Sequence, residues 1–299
     1  MNSSSLTTLF CSMKAFDGHN AIIQNNALDN WRYVPGVTVV LLGNDPGTAE
    51  AAQERGFLHI PDIAVSEYGT PQLNAMFAVA QAAAVTPFVC YINGDILLPK
   101  DFAETVQAVG RDFEKFLMIG THWKVDITTR LPIDGTTCNT TALLREYKGE
   151  KGAIVGIDYF AFPTGMIDYM PEFYIGRPGW DNWLIWESKR RSIPVVDVSA
   201  MLTVLHQNHG YHHVPGGNGR DWNSGPESAR HKEIFKAYPE FDPWYGTILH
   251  ATHKLTSTGF HLAEPPPDLR HALIRDAQWK ALQASGILSN LRQRVVEGV

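Results

Sequence analysis

Short apolar runs alternate along the first hundred residues with longer segments whose apolar residues recur at near-helical intervals. The runs are rich in β-branched and aromatic residues and end at glycine or proline turns, a pattern typical of strands in a buried sheet. The predicted elements are a strand at Leu6–Phe16, a helix at His19–Tyr33, a strand at Val37–Leu42, a helix at 48–55, a strand at Phe57–Ile60, a helix at Pro71–Ala84 and a strand from Phe88. This β-α-β-α-β-α-β order predicts a Rossmann-like α/β fold with a doubly wound, mostly parallel sheet flanked by helices.

The rest of the chain continues the pattern less regularly. Strands are predicted at Phe116–Asp126, Ile154–Phe162 and Ile193–Val198, and a helix ends at Arg191. The polar segment Leu131–Gly152 is expected to be a flexible connection. Residues 226–299 are mainly helical by pattern, with a break at Pro265–Pro267. We therefore predict an α/β domain over residues 1–225 and a C-terminal helical extension over residues 226–299.

Composition narrows the function classes. The chain of 299 residues is 44% hydrophobic, enough for a sizeable core, and its net charge of -6 gives no basic surface for nucleic acid or anionic membrane. Its three cysteines are scattered, without disulfide or zinc-knuckle spacing. The N-terminal segment is not patterned like a signal peptide, and no apolar run has the length of a transmembrane helix. We expect a cytoplasmic protein.

Polar side chains follow the predicted strands at their carboxyl ends. Asp45 comes after the second strand, and Asn93-Gly94-Asp95 interrupts the apolar run that begins at Phe88. In open α/β sheets ligands bind in the crevice outside these ends, and a carboxylate beside a glycine suits a hard divalent cation. The alternative for Asp95 is a turn residue that bonds nearby amides. The glycine-rich phosphate loops of dehydrogenases and P-loop proteins do not occur.

Two further polar clusters lie later in the chain. Asp181, in the segment Gly179–Asn182, opens a predicted helix, where a first-turn carboxylate is common without any function. The histidines of the second cluster begin at His206, directly after an apolar run, and continue to His213. An imidazole and a carboxylate at neighbouring strand ends predict a mixed nitrogen and oxygen site for Mn²⁺ or Mg²⁺. The signatures of zinc sites are absent from the sequence.

The order of these motifs resembles a known family. The run YINGDILLPKDF, the later segment GWDNWLIWESKRR and a strand-end histidine are similar to the motifs of glycosyltransferases of the GT-A fold, over roughly Leu6–Tyr211. The triplet Asn93-Gly94-Asp95 is similar to the D-x-D motif of that family, with asparagine in place of its first carboxylate. The resemblance implies that Asp95 binds the cation, that His206 or His209 completes the metal site, and that Asp181 is the general base.

The resemblance implies further contacts. The donor-binding positions are Phe16, Asp45, Asn93, Asp95 and Arg177, and the candidates to contact phosphate are Arg177, Lys14 and His122. The acceptor side is expected to include Trp180, Asn182 and Trp183, the tryptophans offering an apolar face to a sugar ring.

The implied activity is transfer of a sugar, by a hexosyltransferase-like reaction, from a nucleoside-diphosphate sugar to the hydroxyl group of a glycan, lipid or small-molecule acceptor. Base catalysis by Asp181 would give inversion at the anomeric carbon, whereas retention stays open if Asp181 only hydrogen-bonds the acceptor. Three alternatives stay open at this point: a non-catalytic nucleotide- or carbohydrate-binding protein of the same fold, a sugar nucleotidyltransferase, and a histidine-rich metallohydrolase.

Overall fold

The computed structural model describes residues 5–134, 139–210, 225–242 and 246–264. Strands and helices alternate through the first half of this part of the chain, as the apolar pattern predicts. The strands of the described residues are β1 (Thr7–Ser12), β2 (Val37–Leu42), β3 (Leu58–Ile60), β4 (Phe88–Ile92), β5 (Ile96–Leu97), β6 (Leu117–Ile119), β7 (Trp123–Val125), β8 (Glu150–Lys151), β9 (Tyr159–Pro163), β10 (Val195–Asp197), β11 (Leu205–Gln207), β12 (His253–Thr256) and β13 (Gly259–Leu262). The helices are α1 (Gly18–Arg32), α2 (Thr48–Arg55), α3 (Leu73–Ala83), α4 (Phe102–Asp112), α5 (Thr140–Glu146), α6 (Trp180–Arg190), α7 (Pro226–Lys236) and a 3-10 turn at Ile248–His250.

Nine strands of the described residues form one large sheet in the order β13-β12-β10-β6-β9-β4-β1-β2-β3. The pairs β4·β1, β1·β2 and β2·β3 are parallel, as are β6·β10 and β10·β12. Strand β9 runs antiparallel between β4 and β6, and β13 closes the edge antiparallel to β12. The predicted α/β fold with a mostly parallel sheet is confirmed.

The strands are buried on both faces, as their continuous apolar runs predict. On one side of β1, Leu9 and Cys11 pack in a core that includes Trp31 of α1. On the other side, Phe10 meets Phe77 of α3 edge to face, with ring centroids 5.1 Å apart. Helices therefore cover both faces of the sheet. Among the described helices, none combines the length and the hydrophobicity of a transmembrane span.

A second sheet of four short strands, in the order β5-β11-β7-β8, is formed by the described residues. Strand β11 pairs antiparallel with β5, placing His206 opposite Ile96, and parallel with β7. The single strand predicted at Phe116–Asp126 is thus two strands in two sheets. The chain leaves the large sheet at Gly120, where an added Cβ would lie 1.9 Å from the hydroxyl group of Tyr159. Only glycine fits this position.

Two other segments differ from their predicted form. The expected flexible connection contains α5, whose N-terminus is capped by the Asn139 side chain accepting a hydrogen bond of 3.1 Å from the amide of Ala142. Beyond the predicted boundary at residue 225, β12 and β13 extend the large sheet, and the compact unit continues to Ala263. The part of the predicted helical extension that covers residues 265–299 lies outside the described residues.

Candidate functional site

A cavity of about 510 Å³ opens where the carboxyl ends of β1, β2 and β4 meet. This is the edge at which a parallel sheet offers a ligand crevice. A smaller cavity of about 360 Å³ adjoins it and shares Asp45, Gly69 and Pro71 with it. Of the residues predicted to be functional, those that line the large cavity are Lys14, Asp45, Asn93, Asp95, Arg177, His206 and His209.

Asp95, His206 and His209 form a compact group of metal-ligand type. The Nε2 atom of His209 lies 2.9 Å from Asp95 Oδ2, and the Nε2 atom of His206 lies 3.8 Å from the same oxygen. The three ligand atoms lie within 4.8 Å of one another. Asp95 Oδ1 is buried and has no hydrogen-bond partner among the described residues, so it is available to a cation. One carboxylate and two imidazoles fit Mn²⁺ or a similar divalent ion.

Strand pairing brings this group together across more than a hundred residues of sequence. Asp95 lies in the turn between β4 and β5, and His206 lies on β11, the antiparallel partner of β5. The neighbouring Gln207 fixes the turn, because its Nε2 donates to the carbonyl oxygens of Asp95 (3.0 Å) and Ile23 (2.9 Å). The position of His206 relative to Asp95 therefore depends on the small sheet.

A second buried carboxylate, Asp158, adjoins the group and was not predicted from the sequence. Its Oδ2 lies 3.2 Å from His206 Nδ1 and 2.5 Å from His122 Nδ1. Asp158 immediately precedes β9, and because β9 is antiparallel to β4, the start of β9 meets the end of β4. The sequence prediction considered polar residues that follow strands, whereas Asp158 precedes one. The available signal was the isolated aspartate in Ile157-Asp158-Tyr159.

The charges in this group stabilise one another. Burial alone would raise the pKa of Asp95 and of Asp158, but the neighbouring histidines outweigh it and hold both pKa values below the usual range. Burial would lower the pKa of His206, whereas Asp95 and Asp158 raise it to about 9. Without a metal, His206 is therefore cationic at neutral pH, and a metal ion must displace a proton from it to bind.

Lys14 adds a positive charge to the cavity wall. Its backbone is fixed by Gln24, whose Oε1 accepts from the Lys14 amide (2.6 Å) and whose Nε2 donates to the Lys14 carbonyl (2.9 Å). Burial lowers the pKa of Lys14, while Asp95 opposes the shift. Among the described residues, no acidic group forms an ion pair with its ammonium, which makes this side chain a candidate contact for an anionic ligand.

The opposite wall holds Arg177, whose charge is already compensated. Its Nε and a terminal nitrogen lie 2.7 and 2.6 Å from Glu227 Oε2, and Ser66 Oγ donates to the other oxygen of Glu227 over 2.5 Å. Helix α7 thus ties two loops of the cavity wall together. Glu227 was not predicted, because nothing in its sequence neighbourhood indicates a pairing 50 residues away.

Other predicted residues lie outside the lining of the large cavity. Trp183 is fully buried and Trp180 is 7% exposed, with the Trp180 ring 5.0 Å from that of Tyr91 in the core. Asn182 donates through Nδ2 to the carbonyl of Gly246 over 2.9 Å. Phe16 packs against the core and over Gly47. These side chains have structural partners in the protein itself.

Asp181 lies in the first turn of α6, directly after the loop that contributes Ile175, Gly176 and Arg177 to the cavity wall. It is half-buried and not itself part of the lining. Burial raises the pKa of its carboxyl group to about 6, although the backbone amides of Asn182 and of Asp181 itself oppose the shift. Such a carboxyl group titrates close to neutral pH, as a general base requires.

Comparison with known proteins gives matches among solved structures. No family model matches the chain, and no curated protein matches it. The chain is similar to S. aureus TarS in complex with UDP-GlcNAc (12% identity over 40% of this chain and 35% of that chain, TM-score 0.30). It is also similar to glucosyl-3-phosphoglycerate synthase from Mycobacterium tuberculosis (16% identity, 70% of this chain and 75% of that chain, TM-score 0.42). A structure of the same enzyme in complex with Mn²⁺ and UDP-glucose gives 16% identity, 70% of this chain, 73% of that chain and a TM-score of 0.41.

These likenesses are partial. The chain covers between 23% and 50% of the length of the TarS chains that it matches. At such identities and TM-scores the matches carry no argument about activity, which has to come from the cavity itself.

Proposed function

We propose that this protein is a metal-assisted glycosyltransferase that takes its sugar from a nucleoside-diphosphate sugar. The observation that supports this most directly is the group Asp95, His206 and His209, with its unpartnered carboxylate oxygen, at the carboxyl ends of the parallel strands. The cavity around it, about 510 Å³ with an adjoining 360 Å³, is in the range of small-molecule and cofactor sites.

On the donor side, Asp95, His206 and His209 would hold Mn²⁺ or Mg²⁺. When bound, the cation acts as a Lewis acid and stabilises the charge that develops on the departing nucleoside diphosphate. Lys14 donates to a phosphate oxygen from the same wall. Asp45 lies where the two cavities join, a position suited to the ribose or base of the nucleotide.

On the acceptor side, Asp181 takes the proton of the attacking hydroxyl group. A bond forms between the acceptor oxygen and the anomeric carbon while the bond from that carbon to the phosphate oxygen breaks, and the nucleoside diphosphate leaves with the bonding electrons. Attack opposite the leaving group gives inversion. We do not retain Trp183 as a sugar contact, because it is fully buried and the core would have to open around it.

A second candidate is a nucleotide-sugar-binding protein without catalytic activity. The observation in its favour is that Asp181 is not part of the cavity lining. The two candidates share the donor site, so binding alone does not separate them, whereas release of nucleoside diphosphate does.

The first experiment is a thermal-shift panel with UDP-, GDP-, CMP- and dTDP-linked sugars, each with Mn²⁺, Mg²⁺ or EDTA. Binding adds about 2.7 kcal/mol of stability at a free ligand concentration of about one hundred times Kd. We expect one nucleotide class to stabilise the protein in a metal-dependent way, and Asp95→Asn to remove that effect. Asp197→Asn, at a strand end outside the cavity, is the matched control.

The second experiment measures turnover with the stabilising donor and a panel of glycan, lipid and small-molecule acceptors. Release of nucleoside diphosphate that Asp181→Asn reduces supports the transferase. Metal-dependent binding without any release supports the second candidate. Stabilisation by a metal alone, with no response to any nucleotide, would contradict both and leave the metallohydrolase alternative.

A further inference from the structure

The Asn93 side chain, which occupies the first position of the D-x-D-like triplet, is engaged at both of its polar atoms. The Tyr91 hydroxyl donates to Asn93 Oδ1 over 2.9 Å, and Asn93 Nδ2 donates to Asp158 Oδ1 over 2.8 Å. The orientation of the amide follows from chemistry, because an ionised carboxylate only accepts hydrogen bonds and must face the NH₂ group. Asn93 therefore holds Asp158 instead of offering a carboxylate to a cation.

The second oxygen of Asp158 faces the ring of a predicted metal ligand. Asp158 Oδ2 lies 3.2 Å from His206 Nδ1, while His206 Nε2 faces Asp95. A carboxylate at Nδ1 keeps the proton on that nitrogen, which leaves the lone pair on Nε2 for a metal. The carboxylate also fixes the plane of the ring.

We propose that Asp158 supplies the second carboxylate of the site in place of residue 93, as the positioning residue of His206, and that Asn93 fastens it there. This inference rests on the metal-binding part of the proposed function. The use of Asp158 as the second carboxylate also explains why position 93 carries an asparagine. An aspartate at position 93 would set two carboxylates within hydrogen-bond distance, and only one of them could remain ionised.

A second metal centre is the competing explanation, since His122, Asp158 and His206 also lie within ligand spacing of one another. The distance of 2.5 Å between His122 Nδ1 and Asp158 Oδ2 is that of a direct contact. It is shorter than the roughly 2.9 Å that separates neighbouring ligand atoms of an octahedral ion with bonds of about 2.1 Å. His206 would also have to bind one metal through each ring nitrogen. The geometry instead points to a single ion at Nε2 of His206.

The test measures Mn²⁺ binding to the full chain without nucleotide, by the electron paramagnetic resonance signal of free Mn²⁺ and by calorimetry. The variants are Asp158→Asn, Asn93→Asp and the exchange Asn93→Asp with Asp158→Asn, with Asp197→Asn as the control. Removing a carboxylate behind a ligating histidine is expected to weaken metal binding by about 10- to 100-fold. In Asp158→Asn the new NH₂ group can face His206 Nδ1, which moves the histidine proton to Nε2.

The exchange variant distinguishes positioning from simple loss of structure. In it the carboxylate introduced at position 93 accepts from the new NH₂ group at position 158, so the amide oxygen at position 158 turns toward His206 and the ligating tautomer returns. We expect the exchange to recover a large part of the affinity lost in Asp158→Asn, and Asn93→Asp alone to bind more weakly than the wild type. If the Asp158→Asn variant and the exchange variant both bind Mn²⁺ as tightly as the wild type, the inference is wrong.

A readout on the wild type covers the case in which the variants do not fold. In histidine-labelled, Mg²⁺-loaded protein, nitrogen NMR should place the proton of His206 on Nδ1, and a proton on Nε2 would overturn the inference. A metal stoichiometry of two would favour the second centre. If the wild type binds no metal, both the metal part of the proposed function and the inference are contradicted. If the protein binds metal but substitution of Asp158 does not change the affinity, only the inference is contradicted.

Discussion

The segments 93–95 and 180–183 have similar composition, but the first lines a cavity and the second packs against other parts of the protein. Both place an asparagine and an aspartate beside a glycine or a tryptophan at the border of a regular element. In the first, Asp95 reaches a cavity with an unpartnered oxygen and two histidines. In the second, Trp183 is fully buried, and the neighbouring amide of Asn182 is bound to a carbonyl group.

The contrast shows that the exposure of a short motif depends on its place in the fold and not on its own residues. Segment 93–95 follows a strand of the parallel sheet, so its side chains emerge at the ligand-binding edge. Segment 180–183 begins α6, in which Trp180 packs on Tyr91 and Phe160 of the large sheet and the buried residues recur at helical intervals. Four predictions test this contrast, beginning with the largest effect.

Trp183→Ala should mainly destabilise the fold. Trp183 packs edge to face with Phe173 and Tyr238, and removing so large a buried ring costs about 3–5 kcal/mol. Urea unfolding followed by circular dichroism measures the loss, and Trp186→Ala, on the same helix but only partly buried, is the milder control. An unchanged midpoint together with weaker acceptor binding would show that Trp183 is a ligand contact.

Asp95→Asn should abolish metal binding with little loss of fold. The change keeps the size of the side chain but removes the charge that attracts the cation, so we expect at least a roughly hundredfold loss of Mn²⁺ affinity, equivalent to about 2.7 kcal/mol. Calorimetry with Mn²⁺ measures it, with circular dichroism as the check on folding. Metal affinity equal to that of the wild type would remove Asp95 from the site.

Asp181→Asn should stabilise the protein at neutral and alkaline pH. The pKa of Asp181 is 3.8 in its ordinary state and about 6 in the fold, so between these values the folded state binds more protons and the wild type loses stability as pH rises. The variant lacks this loss, so its advantage should grow from about pH 4 to about pH 6 and then stay constant at about 3 kcal/mol, because one pKa unit corresponds to about 1.36 kcal/mol.

Urea unfolding across this pH range measures the effect of Asp181→Asn, with Asp197→Asn as the control. A difference between variant and wild type that does not change with pH would mean that burial does not raise the pKa of Asp181. If Asp181 is also the base, transferase activity in the wild type should fall as pH drops below about 6.

Lys14→Met should have the smallest effect, and it should change the affinities for nucleoside diphosphate and for metal in opposite directions. Loss of a charge-assisted contact to phosphate is expected to weaken nucleoside-diphosphate binding about tenfold. Metal binding should strengthen slightly, because a cation near Asp95 is removed. Calorimetry with UDP and separately with Mn²⁺ measures both, and a fall in both affinities would indicate that Lys14 supports the cavity structurally.

Much of the site could be predicted because its residues follow predictable strands. Asp45 and Asp95 come directly after β2 and β4, whose apolar runs are continuous, and both line the cavity. Asp158 could not be found in this way, since it precedes an antiparallel strand and the direction of β9 is a property of the assembled sheet. Glu227 depends on a contact between α7 and a loop 50 residues earlier, which leaves no periodic trace.

Local sequence alone specified the alternation of strands and helices over the first hundred residues, the burial of the strands on both faces, and the presence of a polar triplet after β4. These features depend on local backbone preferences and on the spacing of apolar side chains, and both are determined by residues that are close in sequence. The assembled fold was needed to show that Asn93 binds Asp158, that His206 meets Asp95, and that Trp183 lies in the core. Such facts depend on the direction and pairing of distant strands, because a side chain acquires its partners only when the sheets have formed.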